Sequence, residues 1–275
     1  LLIALSATAL MITACQKEPS FEDPNGNPGS GGGGTSGTKL TRMGIKIGTD
    51  SLTATFNYQG DYISKLIQDG SFNGQAADAQ IAITRNASNL ITKTNTQSSV
   101  FTQLGIDSIV MNYTIEPGTT RYINGVSRYE FFGEMVADSV VFNYDGSGKL
   151  LSSISYFDDG TGYLPDSKEE YTYSGNNIAS VKTYSYDTDR FVLDETSTYE
   201  YDSKINPLLF QIDGPVLGMS GFYSANNTTK TTVVTVDPPQ TSIAQNTYTY
   251  DSTNRPTSSQ STDGGVTTTI TYYYQ

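Results

Sequence analysis

From residue 39 onward, apolar and polar residues alternate in runs of five to ten, broken by Gly, Asn, Asp and Pro, with no long helical period. A period of two sends successive side chains to opposite faces, so the pattern predicts β-strands throughout. The clearest runs are SLTATFNYQ (51–59), DYISKLIQ (61–68), DSIVMNYT (107–114), DSVVFNYD (138–145), TTVVTV (231–236) and VTTTITYYY (266–274). Their Thr, Val, Ile and Tyr content suits a pleated surface. The stretch 70–90 is less regular, and Gln75 to Gln80 within it reads as a short helical turn.

A repeat overlies the alternation. Phe56-Asn57-Tyr58, Phe142-Asn143-Tyr144, Tyr171-Thr172-Tyr173, Tyr199-Glu200-Tyr201 and Tyr248-Thr249-Tyr250 share the form aromatic-x-Tyr, and Asp145, Asp202 and Asp251 follow three of them directly. Within each unit the two rings face one way and the middle residue the other, which makes one sheet face aromatic and the opposite face polar. The aspartate then opens a turn by bonding its own backbone, with glycine or asparagine supplying the positive φ that a tight hairpin needs. Turns are therefore expected at 145–148, 174–177 and 202–206. The expected fold is all-β: an extended, curved antiparallel meander or incomplete barrel built from YxYD hairpins, occupying 39–275 as a single domain.

The first fourteen residues, LLIALSATALMITA, carry no charge and are too short for a membrane-spanning helix. They suit a signal-peptide remnant. The chain's single cysteine, Cys15, follows Ile12-Thr13-Ala14, a sequence that resembles the lipobox of bacterial lipoproteins, and this resemblance implies acylation of Cys15. Residues 16–38 are rich in Gly, Pro and Ser and read, with Cys15, as a lipidated flexible tether over 15–38. The partner implied is a membrane, reached through a lipid anchor. The tether resembles those of lipoproteins on the outer face of Gram-negative cells, which implies an outer-membrane, cell-surface location.

The net charge of −12 disfavours nucleic acid, whose binding relies on clustered Lys and Arg. Histidine is absent, which removes the usual general base and the commonest zinc ligand. YxYD followed by a short alternating strand resembles the YD repeats of Rhs-type proteins. Lipobox, Gly-rich tether, YxYD hairpins and YDSKINPL (201–208) together resemble a family of bacterial surface lipoproteins of unknown function with a porin-like fold. A membrane barrel, however, carries an apolar outward band. Here the outward positions are Ser, Thr, Asn and Lys, which points to a domain tethered to a membrane rather than inserted in it.

Candidate chemistry is sparse. NYDGSGKL (143–150) lacks the first Gly and the final Ser/Thr of a phosphate loop, and LGMSGFY (217–223) lacks the last Gly of a nucleophile elbow. Paired carboxylates can hydrolyse a glycosidic bond without histidine. The acidic clusters, Asp158-Asp159, Glu169-Glu170 and 187–195, are expected in or beside hairpin loops, where acids solvate turns. Asp187, Asp189 and Asp194 offer hard oxygens to calcium, the one cofactor considered. Tyr144, Tyr173, Tyr184, Tyr201 and Tyr250 are candidates to line a concave ligand surface. Ser51, Ser108, Ser139 and Ser252 follow aspartate in triplets that resemble O-glycosylation acceptors of exported bacterial proteins. The function expected is non-catalytic: a membrane-anchored lipoprotein with an interaction or structural role. The alternatives are a binder of a glycan or small apolar ligand, with a protein partner also open, and, more distantly, an acid-only glycoside hydrolase.

Overall fold

The computed structural model describes residues 39–208, 213–217 and 224–275. The segments assigned above to signal peptide and tether, Cys15 included, lie outside the described residues. The strands are β1 (Leu40–Ile47), β2 (Asp50–Gln59), β3 (Tyr62–Phe72), β4 (Gln75–Ala76), β5 (Ala79–Arg85), β6 (Ile91–Ser98), β7 (Ile109–Ile115), β8 (Tyr122–Phe131) and β9 (Glu134–Tyr144). They continue with β10 (Leu150–Asp158), β11 (Leu164–Ser174), β12 (Asn177–Asp187), β13 (Arg190–Ile205), β14 (Asn226–Thr235), β15 (Gln240–Tyr250), β16 (Pro256–Asp263) and β17 (Val266–Tyr274). Two short helices, α1 (Ser99–Gln103) and α2 (Gly214–Leu217), interrupt them.

All seventeen described strands belong to one antiparallel sheet, and each pairs with its neighbours in chain order except at β4, which pairs with β3 while β3 also pairs directly with β5. The sheet is closed, which corrects the open meander or incomplete barrel expected from the sequence. β1 pairs with β17 from Leu40↔Tyr274 to Ile47↔Thr268, and Gln275 N–H donates to the Lys39 carbonyl at 2.9 Å. Setting aside the two-residue β4, sixteen strands make the barrel. The local hairpin signals are the same for an open and a closed sheet. Closure removes the two bare edges that an open sheet would expose.

Direct register carries one face around the whole ring: Phe56 lies opposite Leu66, Leu66 opposite Ile81 and Ile81 opposite Thr96. That face is the interior. On β2, Leu52, Ala54 and Phe56 are buried inside, while Ser51 and Asn57 are exposed outside and Thr53 and Thr55 half-buried. The outward rows of β16 and β17 are Ser258, Gln260, Thr262 and Thr267, Thr269, Thr271. The outer face is polar along β2, β16 and β17 as inferred from the repeat, but on β9 to β15 it also carries Val141, Ile154, Tyr184, Leu193, Val234 and Ile243.

The hairpin loops follow the same logic. Asp145 Oδ1 accepts from Ser147 N at 2.8 Å, Ser147 Oγ at 2.7 Å and Lys149 N at 2.9 Å, and Asp251 Oδ1 repeats this with Thr253 and Arg255. Asn86 does the same for Ser88 and Leu90. In all three loops the fourth residue, Gly148, Asn254 or Asn89, takes positive φ, where glycine and asparagine are tolerated best.

Two local expectations fail. Gln75 to Gln80 is extended, in β4 and the start of β5, and the helical turn is instead α1, capped by Ser98 Oγ accepting Phe101 N–H at 3.0 Å and anchored by buried Phe101. The turn expected at 202–206 is not a tight hairpin. Asp202 does bond Lys204 N, at 2.8 Å, but β13 runs on to Ile205 and the chain returns only at Asn226. Leu208 is fully buried, and a buried leucine contributes about 2 kcal/mol, which favours drawing this connection into the barrel.

Candidate functional site

The barrel has two unlike ends. At one, the tyrosine end, β2, β9, β11, β13, β15 and β17 finish and the chain enters at Lys39. Here the rings of the aromatic pairs point inward, and one hydroxyl, that of the second ring except at Tyr248-Thr249-Tyr250, where it is the first, reaches back to the start of a preceding strand. Tyr58 donates to the Leu40 carbonyl at 2.8 Å, Tyr173 to Leu150 at 2.9 Å, Tyr201 to Ile178 at 2.8 Å, Tyr248 to Thr228 at 3.0 Å and Tyr274 to Pro256 at 2.8 Å. Tyr144 instead accepts from Tyr122 N–H at 3.3 Å. The separation is 18 to 23 residues each time. One rule, repeated by the sequence repeat, therefore builds a girdle around the barrel.

Cations cap several of these rings: Lys39 lies 5.4 Å from the Tyr58 centroid, Lys149 5.2 Å from Tyr173 and Arg255 4.7 Å from Tyr274. Burial pushes the Tyr144 hydroxyl up to about 12, and burial also raises Tyr58 and Tyr201.

Described parts of the β13–β14 connection plug this end. Leu208, Val216 and Leu217 pack in one cluster with Met43, Phe142 and Ile178 from around the ring. Asp213 receives two hydrogen bonds from the Arg85 guanidinium, Nη1 to Oδ1 at 2.9 Å and Nη2 to Oδ2 at 2.5 Å, and Arg85 also donates to the carbonyls of Ile63 and Asn89. Tyr113 donates to the Val216 carbonyl at 3.0 Å.

The half of the lumen toward the other end is different. Along β10 to β17 its inward residues include small hydroxylated ones, Ser155, Ser167, Thr183, Thr231, Ser242, Ser261 and Thr268, all part-exposed, whereas across β6 to β9 Phe101, Ile106, Tyr129 and Val136 form a second buried cluster. Among them stand Asp138, Glu169 and Glu195. Asp138 lies opposite Ser127 and Phe157; Glu169 lies between Ser153 and Thr183; Glu195 faces Thr183 from the other side. Glu169 accepts from Tyr171 OH at 2.5 Å and Glu195 from Ser197 Oγ at 2.9 Å. Burial pushes the Asp138 carboxyl up. Tyr199, pushed to about 12 by burial, also feels the charges of Glu169 and Glu195. The turns at this end are acidic: Asp107, Glu134, Asp159, Asp187, Asp189, Asp237 and Asp263 are all exposed.

Of the tyrosines proposed as ligand contacts, Tyr144, Tyr173, Tyr201 and Tyr250 are inward and serve the girdle; Tyr250 bonds Asp202 and Asn227. Tyr184 is on the outer wall, donates to Glu170 at 2.7 Å and lies under Lys168 at 4.9 Å. Asp187 and Asp189 sit at the β12–β13 turn, and Asp194 occupies the irregularity in β13 between Leu193 and Glu195. Among the described residues no group of three or more carboxylates converges to hold a metal ion. Ser51 is exposed in the second position of β2, Ser252 is exposed in the β15–β16 turn, Ser108 is half-buried before β7, and Ser139 is half-buried within β9. Glu169-Glu170 does not lie in a loop as expected but within β11, which sends Glu169 inward and Glu170 outward to Lys168, 2.6 Å away. Glu195, the last of the acidic cluster 187–195, lies within β13 and faces inward rather than sitting in a loop; Asp138, Arg85 and Asp213 escaped sequence reasoning, and the only signal for Asp138 was the alternation that puts it on the aromatic face.

A sixteen-strand closed barrel has solved counterparts. A porin-like protein from Bacteroides uniformis matches with a TM-score of 0.54 at 14% identity, covering 87% of this chain and 99% of that one. A porin-like protein from Bacteroides vulgatus matches with a TM-score of 0.55 at 12% identity, covering 86% and 99%. This chain shares their fold. No family model and no curated protein matches the chain. At such identities the likeness extends to the all-β, porin-like architecture.

Proposed function

We propose that the protein is a lipid-tethered, non-catalytic binding barrel, anchored at the outer membrane through Cys15, whose lumen opens at the acidic end and is blind at the tyrosine end. The observation that carries this reading is the contrast along the β10–β17 wall of the lumen: fully buried side chains and a packed plug toward the tyrosine end, part-exposed hydroxyls and carboxylates toward the other, where only the β6–β9 side carries a packed cluster, around Phe101. On β2, β16 and β17 the outward rows of Ser, Thr, Asn and Gln interrupt any apolar band around the barrel, which supports tethering over insertion, since a membrane-spanning barrel presents an apolar band to lipid all round. The described chain begins with Lys39 at the plugged end, which supports a tether on that side and a mouth at the opposite pole.

The folded domain contains no cysteine, which makes thiol labelling a clean test. Ser242→Cys, inward and half-exposed, is expected to react with a small maleimide but not with a bulky polymer-linked one. Ser259→Cys, inward in the packed half and 4% exposed, is expected to stay protected from both. An unreactive Ser242→Cys would show a filled interior and a purely structural barrel.

A further inference from the structure

The hairpin tips at the two poles of the barrel are unlike. At the tyrosine end the Asn86, Asp145 and Asp251 loops are polar and bond their own backbone. At the acidic end apolar side chains stand in water: Phe132 is 79% exposed between β8 and β9, Met135 59% at the start of β9 and Leu164 61% at the start of β11. Tyr163 adjoins Leu164 and is exposed as well. The two hairpins are neighbours, because β9 pairs with β10 as far as Ala137↔Asp158.

Phe132 is out of keeping with its turn. It holds φ +51° and Gly133 holds φ +85°, the two positive angles of a two-residue hairpin turn. Two more turns at the same end take nearly the same angles: Asn73 and Gly74 between β3 and β4 at +51° and +72°, and Gly264 and Gly265 between β16 and β17 at +53° and +84°. Asparagine and glycine enter the left-handed region readily, whereas a bulky aromatic is strained there. The turn therefore does not call for a phenylalanine, and burial does not hold one there. The centroid of its ring lies 4.4 Å from that of Phe131, which packs on the buried cluster of Phe101, Ile106, Tyr129 and Val136. An apolar ring held on a packed base, exposed to water and kept in a strained conformation has the character of a binding anchor.

Charge around these anchors defines the partner. The ion pairs of Lys39, Arg85, Arg121 and Arg255 all lie at the tyrosine end. At the other end exposed Asp107, Glu134, Asp159, Asp189 and Asp237 make no ion pair among the described residues. Their field attracts a cationic surface and repels anionic lipid headgroups. From this arrangement we infer that the acidic rim is a docking surface for a basic polypeptide with an apolar face, anchored on Phe132, Met135 and Leu164 and oriented by the acids beside them. The surface lies outside the lumen, so it serves such a partner whether the interior is open or filled.

Fluorescence anisotropy tests it on the full chain carrying Cys15→Ser, so that no detergent competes. The probes are a labelled amphipathic peptide of lysine and leucine, an oligolysine of equal length, and the first peptide with glutamate in place of lysine. The lysine–leucine peptide is expected to bind at least about tenfold more tightly than oligolysine, and the glutamate peptide not to bind. Phe132→Asn suits the turn better than the native residue, so it is expected to keep or raise the melting temperature while weakening the lysine–leucine peptide by about tenfold. Met135→Ser repeats the loss away from the turn, whereas Ile205→Ser, 60% exposed at the tyrosine end, changes binding less than about twofold. No binding of the lysine–leucine peptide, equal binding of oligolysine, or unchanged binding by both Phe132→Asn and Met135→Ser would overturn the proposal. Sedimentation with phosphatidylcholine vesicles that is lost in Phe132→Asn would overturn it too, by showing that the tips seek lipid.

Discussion

Arg85 on β5 and Asp213 in the plug are joined by a two-pronged ion pair in which both side chains are nearly buried, 12% and 9% exposed. The guanidinium is also tied to two carbonyls and lies 5.2 Å from the Tyr62 ring. Truncating one partner strands the other charge away from water. Asp213→Ala is expected to destabilise the barrel by about 3 kcal/mol in chemical denaturation, and Arg85→Met/Asp213→Leu to cost clearly less than the single change, because no uncompensated charge remains. Equal cost for the single and double variants would refute this account.

The tyrosine girdle predicts a graded series. Each hydroxyl bond to a strand start is a part-buried one, so Tyr173→Phe and Tyr274→Phe should each cost about 1 kcal/mol while leaving packing intact. Tyr173→Ala removes the ring as well and should cost about 3 kcal/mol or more. Thermal melts of the three variants decide between a hydrogen-bonded girdle and rings that act only by packing.

The loops at Asp145 and Asp251 are built as Asn86 builds its own, through one side-chain oxygen accepting from the residues two and four further on. Asp251→Asn should therefore lower the melting temperature less than Asp251→Ala, since it keeps the accepting oxygen and loses only the ion pair with Arg255. Gly148, at φ +91°, should tolerate Asn better than Val, since a β-branched residue is strained there.

Stability should respond to acid in two opposed steps. Hydrogen bonds from Ser147 hold Asp145 below the usual carboxylate range, and Lys168 does so for Glu170, so their contribution is present above the unfolded-state value and lost as pH falls through the lower folded-state value. Asp138 is raised by burial; its charge penalises the fold at neutral pH, and protonation relieves this as pH falls toward the ordinary carboxylate range. The melting temperature is thus expected to rise as pH falls from neutrality toward the ordinary carboxylate range and to fall again below that range, with Asp138→Asn lacking the initial rise.

At high pH, burial holds Tyr113 and Tyr144 up to about 12, so the stability they lend is complete below the ordinary tyrosine value and is lost as pH rises through the folded one. Ultraviolet titration should show one set of tyrosines ionising normally and another only as the barrel opens.

Anchoring is tested at Cys15. Cys15→Ser should move the protein from the detergent phase to the aqueous phase, because stable anchoring needs the acyl chains that the cysteine would carry. Retention in the detergent phase would argue for insertion of the barrel itself.

The sequence by itself determined the strands, the inward set of each aromatic pair and the chemistry of the tight turns, because those depend on residues within a few positions of one another: Phe142 and Tyr144 share a face by alternation alone, and Asp145 bonds its own loop. Only the tertiary structure decided that Leu40 meets Tyr274 and closes the barrel, that Leu208 and Asp213 turn a chain reversal into a plug, and that Glu169, Glu195 and Asp138 share the barrel's inner wall. Those relationships join residues far apart in the chain. Which distant strands pair is settled by burying the whole aromatic face and leaving no edge, a global balance to which no short stretch of sequence holds the answer.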